Sequence, residues 1–311
     1  MTGPDTTIAC LGLGAMGSGL AHRLLDAGRP VSVFNRTEAK ASPLTDRGAR
    51  FAATPAAAAG DAGTVLVSLS GPEAVDEVLF GDDGAVHGLK PGAVVVDAST
   101  VSPEFSRACT ARLAEAGVSR VEACLIGNPF QARSGEVRVL AAGDEADVAK
   151  VADLLGVIGK HTWHIGATGS GASAKLAFNA FLGVQLAGLA EALDIGAAGG
   201  VDRDRLLEAI AGSGFSSPVL SFRAALVRDD RLVPAAFRTD LMAKDLRLAG
   251  QTAREHGLEA GLLTLAAGRF AALTERGDGG KDAAVVLTRA GEVPVFLQGE
   301  ARGRALPPEV G

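Results

Sequence analysis

Lys175 and Asn179 stand four residues apart in the stretch Gly166-Ala167-Thr168-Gly169-Ser170-Gly171-Ala172-Ser173-Ala174-Lys175-Leu176-Ala177-Phe178-Asn179. On a helix that spacing puts both side chains on one face, near its start. A lysine ammonium can donate a proton to a carbonyl oxygen on which negative charge develops. An asparagine amide can hold the lysine or the reacting molecule in place. The preceding glycines let a ligand come close to the backbone. Taken alone, the lysine reads better as one snorkelling to water from an apolar helix.

A second chemical signal lies near the start of the chain. Gly12-Leu13-Gly14-Ala15-Met16-Gly17 is a G-x-G-x-x-G between an apolar run and an amphipathic one. Between a strand and a helix, such a loop permits a tight turn, close backbone approach to a pyrophosphate, and packing of helix on strand. The next apolar run ends in Asn35-Arg36-Thr37. An acidic residue there would hold the ribose diol of NAD. Asn35 lacks the charge that would repel a 2′-phosphate, and Arg36 can pair with one. A charge-assisted bond of about 1.5–3 kcal/mol corresponds to roughly ten- to a hundredfold in affinity. These residues therefore predict NADP(H) as cofactor. The other reading of Arg36 is a solvated surface arginine.

The elements that must carry these residues follow from the apolar pattern. Strands are expected at residues 7–11, 31–34, 64–69, 94–97, 121–125, 137–141 and 162–165, with a helix at 16–27. Strands alternating with helical stretches imply βαβ units, a mostly parallel sheet and the α/β class. After Gly166 the texture turns helical: 172–198, 203–211, 218–227, 241–256 and 262–275, with no convincing strand. The expected organisation is a Rossmann doubly wound domain at 1–166 and an all-helical domain at 167–291 entered by one long helix. A tail at 292–311, ordered on contact or frayed, completes the chain.

Composition narrows the function classes. A net charge of −6 and a pI near 5.5 disfavour nucleic acid and acidic membranes as partners. No uninterrupted apolar run approaches the roughly 20 residues of a membrane span, and the first residues lack the basic start of a signal peptide. Cys10, Cys109 and Cys124 fall in no metal-ligand or disulfide spacing, and the five histidines form no cluster. A cytoplasmic protein without a metal is expected.

In these motifs the chain resembles the β-hydroxyacid dehydrogenase family, over residues of about 7–291. The resemblance rests on Gly12–Gly17, Asn35-Arg36-Thr37, Asp97-Ala98-Ser99-Thr100-Val101-Ser102-Pro103, Gly169-x-Gly171 with Lys175 and Asn179, and Phe237 with Lys244-Asp245-Leu246. It implies catalytic roles for Lys175 and Asn179. It implies cofactor contacts from Gly12, Leu13, Gly14, Ala15, Met16, Gly17, Asn35, Arg36, Thr37, Leu69, Thr100 and Lys244. Substrate contacts are implied for Ile126, Gly127, Asn128, Phe237 and Asp245, and a homodimer or homotetramer for the assembly.

One segment departs from the family pattern. Where members read roughly Asp-x-Pro-Val-Ser-Gly-Gly, this chain reads Glu122-Ala123-Cys124-Leu125-Ile126-Gly127-Asn128. Ile126 replaces a hydroxyl that would bind a substrate carboxylate, a loss of about 1.5–3 kcal/mol. Gly127 and Asn128 are still expected to offer backbone N–H groups. Arg133 is either a substitute carboxylate partner or a surface residue. The reaction expected is hydride transfer between NADP(H) and a carbonyl or hydroxy compound, with Lys175 as general acid/base. That compound is an aldehyde or keto acid or, better fitted to Ile126, a larger or less polar relative. The alternatives are an imine substrate, as in imine reductases related to this family, and a silent NADP-binding scaffold. Retention of Lys175 separates the first reading from both.

Overall fold

The computed structural model describes residues 6–288, so the expected tail at 292–311 lies outside the described residues. The strands are β1 (Ile8–Leu11), β2 (Val31–Phe34), β3 (Arg50–Phe51), β4 (Thr64–Val67), β5 (Val94–Asp97), β6 (Ser119–Ile126), β7 (Val137–Ala142) and β8 (Gly159–His164). All eight form one sheet in the order β3-β2-β1-β4-β5-β6-β7-β8. Strands β1 to β6 run parallel, β7 is antiparallel to β6, and β8 is parallel to β7.

Between the strands lie α1 (Ala15–Asp26), α2 (Ser42–Thr45), α3 (Pro55–Ala59), α4 (Pro72–Phe80), α5 (Pro103–Glu115), α6 (Pro129–Ser134), α7 (Glu145–Lys150) and α8 (Ala152–Ile158). Then come α9 (Ser170–Ala198), α10 (Arg203–Ala211), α11 (Pro218–Arg228), α12 (Thr239–Glu255) and α13 (Gly261–Leu273). The α/β class, the doubly wound sheet and the long helix entering a helical region are all as the sequence predicts.

Alternation along each strand explains why the central runs are apolar throughout. In β1, Ile8 and Cys10 join one core with Leu20 and Leu24 of α1 and Leu155 of α8. Ala9 and Leu11 join the opposite core with Val75 and Leu79 of α4 and Leu113 of α5. Successive side chains point to opposite faces, so a strand covered on both sides needs apolar residues at every position.

Two elements depart from expectation. The two-residue β3 goes unforeseen, because Arg50 and Phe51 at the sheet edge carry no apolar run. Strand β8 begins at Gly159, three residues before the expected start. Most of its residues are exposed, so an apolar signal marks only part of it.

Among the described residues two compact units can be distinguished. One comprises those up to Leu182 together with Lys244–Thr264; the other comprises Gly183–Ala243 and those from Leu265 onward. The change of element type after Gly166 and this division by compactness therefore fall at different places.

In the second unit Leu193, Leu207, Leu220 and Phe270 are buried. There Arg223 forms a buried ion pair with Asp282, whose Oδ2 also accepts from the N–H groups of Ala236 and Phe237, each at 3.0 Å. By average composition and length alone α9 would pass for a membrane span, as the core helix of a soluble protein also can. Isolated polar residues such as Asn179, Gln185 and Glu191 interrupt the run without changing its average character.

Candidate active site

The sheet register lines up the strand ends that carry the sequence motifs. Phe34, Leu11, Val67, Asp97 and Glu122 are neighbours across β2, β1, β4, β5 and β6. The segments that follow those strands therefore leave from one edge: Asn35, Gly12, Leu69 and Thr100. Strand β1 pairs with both β2 and β4, so the chain order reverses there. The crevice at such a reversal, beyond the carboxyl ends of the strands, is where open α/β sheets bind ligands.

Each glycine of the Gly12–Gly17 loop has its own physical reason. Gly12 has φ +95°, and a Cβ there would strike the Ser68 carbonyl and, at 2.7 Å, the Leu69 side chain. A Cβ on Gly17 would strike the Gly12 carbonyl, so α1 could not pack so closely on β1. At Gly14 a Cβ would enter open space. Gly14 is exposed and caps α1 with no side chain bonded to the first N–H groups of the helix. An uncapped helix start behind an open glycine suits a phosphate, so this loop fits a dinucleotide pyrophosphate.

Asn35 ties the second strand to this loop. Its Oδ1 accepts from the Leu13 N–H at 2.9 Å and its Nδ2 donates to the Thr37 carbonyl at 2.9 Å. Arg36 and Thr37 are exposed. Leu69 donates its N–H to Ser99 Oγ at 3.0 Å, which links the ends of β4 and β5.

Lys175 and Asn179 share the first turns of α9, as their spacing predicts. Lys175 is half-buried, and its Nζ donates to the Leu125 carbonyl at 2.8 Å. Among the described residues its remaining N–H bonds have no acceptor. Burial lowers the Lys175 pKa from 10.5; the Asp245 carboxylate opposes that shift and the Lys244 ammonium adds to it.

Asn179 touches α12 instead of the lysine, donating from Nδ2 to Asp245 Oδ2 at 2.6 Å. Asp245 Oδ1 lies 2.8 Å from Lys244 Nζ. That contact is ionic and lacks hydrogen-bond alignment, since the same oxygen has no hydrogen-bond donor. Lys244 directs its hydrogen bond to the Thr100 carbonyl at 2.7 Å. Thus Thr100, Lys244, Asp245, Asn179, Lys175 and Leu125 are brought together within one unit. Phe237 is half-buried in the other unit, anchored through its backbone to Asp282.

The segment after β6 differs from expectation in one respect. Ile126 is half-buried at the end of the strand. Gly127 has φ +153°, and a Cβ there would press on Gln131 and Val137, each at 2.9 Å. The Asn128 N–H, expected to be free for a ligand, donates to Gln131 Oε1 at 3.1 Å. Asn128 Oδ1 in turn accepts from the Gln131 N–H at 3.0 Å. This reciprocal capping box starts α6 and consumes the donor. Arg133 forms an exposed ion pair with Asp26, the surface option of its two readings.

A buried polar group beneath the site escapes sequence reading. Arg120 donates to Asp97 Oδ2 at 2.7 Å and to Ser106 Oγ at 2.6 Å. Ser106 donates to Glu122 Oε1. Glu122 accepts from the N–H groups of Gly169 at 2.7 Å and Ala172 at 3.2 Å, at the start of α9. Burial, the largest single influence, would lower the Arg120 pKa, but Asp97, Cys109 and Glu122 together raise it and the net shift is upward. Charges inside a strand buried on both faces must be paired. Arg120 and Glu122 flanking Val121 are therefore the signal that could have revealed this group. The three cysteines are buried, with burial raising Cys10 and Cys124 to about 12 and Cys109 to about 11.

Known proteins resemble this chain in sequence and fold. Residues 7–166 match the family model described as the NAD binding domain of 6-phosphogluconate dehydrogenase. Residues 169–289 match that described as NAD-binding of NADP-dependent 3-hydroxyisobutyrate dehydrogenase. The chain is 32% identical over 244 residues to glyoxylate/succinic semialdehyde reductase 2, chloroplastic, of Arabidopsis thaliana, covering 78% of this chain and 68% of that protein. The crystal structure of 3-hydroxyisobutyrate dehydrogenase from Salmonella typhimurium superposes with a TM-score of 0.84 at 27% identity, covering 91% of this chain and 99% of that one. A Streptomyces aurantiacus imine reductase superposes with a TM-score of 0.59 at 25% identity, covering 92% and 99%.

Proposed function

The chain belongs to the NAD(P)-dependent β-hydroxyacid dehydrogenase family of oxidoreductases, and from that premise we propose an NADPH-dependent carbonyl reductase whose proton donor is Lys175. The observation that carries the reading is the Lys175 ammonium, with one N–H on the Leu125 carbonyl and its other donors without an acceptor among the described residues. Such a group can protonate a substrate oxygen as negative charge develops there, and accept the proton in the reverse direction. Burial moves the lysine toward neutrality, which eases that transfer at moderate pH. Asn179 and Asp245 support the lysine through α9 and α12.

The cofactor, when bound, supplies or accepts the hydride. Gly12, Leu13, Gly14, Ala15, Met16 and Gly17 would hold its pyrophosphate, with Leu69 and Thr100 on neighbouring strand ends. A preference for NADPH rests on Asn35, which brings no negative charge, and on Arg36, which is exposed with no ion pair among the described residues. On the substrate side, Ile126 has no hydroxyl and the Asn128 N–H is engaged. That favours an aldehyde or ketone with an apolar group over a small hydroxy acid. The same two observations support an imine substrate as the second reading.

The test is oxidation of NADPH, and separately of NADH, against aldehyde and keto acids, apolar carbonyl compounds and cyclic imines, using wild type and Lys175→Ala. Lysine-dependent turnover of a carbonyl compound with NADPH is expected, with a loss of about 10²–10⁴-fold in Lys175→Ala. Lys175→Ala turning over within a few-fold of wild type would remove the proton-donor role. Turnover of imines alone would favour the second reading.

A further inference from the structure

Strand β6 grips helix α9 at two places. Glu122 accepts the N–H groups of Gly169 and Ala172, and three residues along the strand the Leu125 carbonyl accepts Lys175 Nζ. Three strand residues span about 10 Å. Ala172 to Lys175 rises about 4.5 Å along the helix, and the Lys175 side chain completes the reach to the Leu125 carbonyl. The helix start and the lysine ammonium are thus both tied to β6.

We propose that Glu122 is a positioning residue for Lys175, its buried carboxylate setting the height of α9 on β6 at which the ammonium reaches its working place. The inference rests on the proton-donor reading of Lys175.

Three observations support it. Glu122 is itself fixed from behind by the Ser106 hydroxyl, while Arg120, held by Asp97, lies 3.8 Å from it. Its negative charge sits at the positive end of the long α9, where it is favourable. Gly171 leaves it room, since a Cβ there would stand 2.5 Å from Glu122 Oε2. A slip of α9 by one residue, about 1.5 Å, would break the 2.8 Å bond from Lys175 to Leu125. Misplacement of a reacting group by about 1 Å can cost 10²-fold in rate.

Glu122→Gln offers one acceptor oxygen to two N–H groups and so loosens the helix start at nearly constant volume. It should lower kcat by about ten- to a hundredfold with the NADPH dissociation constant unchanged within about twofold. The charged and titratable groups around Lys175 are Asp245 and Lys244 of α12 and Cys124 of β6, and none of them changes in this variant. A lysine freed from its enclosure should therefore shift the high-pH limb of kcat upward, toward 10.5.

A purely structural role would lower the yield of folded protein or its unfolding temperature without moving that limb. Wild-type kcat and limb in folded Glu122→Gln, or a lower kcat with the limb unmoved, would overturn the proposal. Should Glu122→Gln fail to fold, Glu122→Asp, which keeps both oxygens but withdraws them, is read by the same two outcomes. Lys175→Ala assayed alongside separates the two ideas: full activity there sinks the proton-donor reading itself, whatever Glu122 does.

Discussion

At the residue scale the chemistry turns on one ammonium whose surroundings are mostly set by distant parts of the chain. Lys175 is pulled toward neutrality chiefly by burial, with Asp245 opposing. The sign of the resulting pH dependence follows from which form reacts. Carbonyl reduction needs the protonated lysine, so its rate should fall as pH rises through a pKa below 10.5. Oxidation of the alcohol needs the neutral lysine, and its rate should rise through the same pKa. Profiles of kcat/KM in both directions check this, and a matching pair of limbs below 10.5 is the expected result. Limbs that persist in Lys175→Ala would assign them to another group.

Among elements, the Gly12–Gly17 loop separates binding from folding. A Cβ at Gly14 meets nothing, while one at Gly17 strikes the Gly12 carbonyl. Gly14→Ala should therefore leave the urea midpoint almost unchanged yet weaken NADPH binding, because the methyl group enters the space left for the pyrophosphate. Gly17→Ala should destabilise the fold by about 1–3 kcal/mol, the usual cost of overpacking. Urea unfolding and a fluorescence titration with NADPH decide both. Equal stability losses in the two variants would contradict the assignment of open space at Gly14. The loop was legible in the sequence because its turn, helix start and glycine spacing are contiguous. The capping box that takes the Asn128 N–H was not foreseen, since it depends on where Gln131 points once α6 has formed.

For the whole molecule, α9 presents Phe178 at 49% exposure and Phe181 at 65%. Large aromatic residues left open on an apolar helix suit a protein partner. We propose that a second copy covers them, as the family resemblance implies. Light scattering should return about twice the chain mass of 31.3 kDa, and Phe181→Asp should shift the population toward monomer. A wild-type protein monomeric at tens of micromolar would dismiss this assembly.

Local order was written into the sequence itself. The apolar runs of β1, β2, β4 and β5, the glycine loop and the four-residue spacing of Lys175 and Asn179 depend on neighbours a few positions away, where periodicity and backbone preference act directly. Tertiary structure alone decided what those residues touch. It brought Asp245 to Asn179 across 66 positions, Lys244 to Thr100 across 144, and Glu122 to Gly169 across 47. Such pairings leave no period in the chain. They exist because a buried charge or amide must find its partner wherever the packed elements bring one within hydrogen-bonding distance.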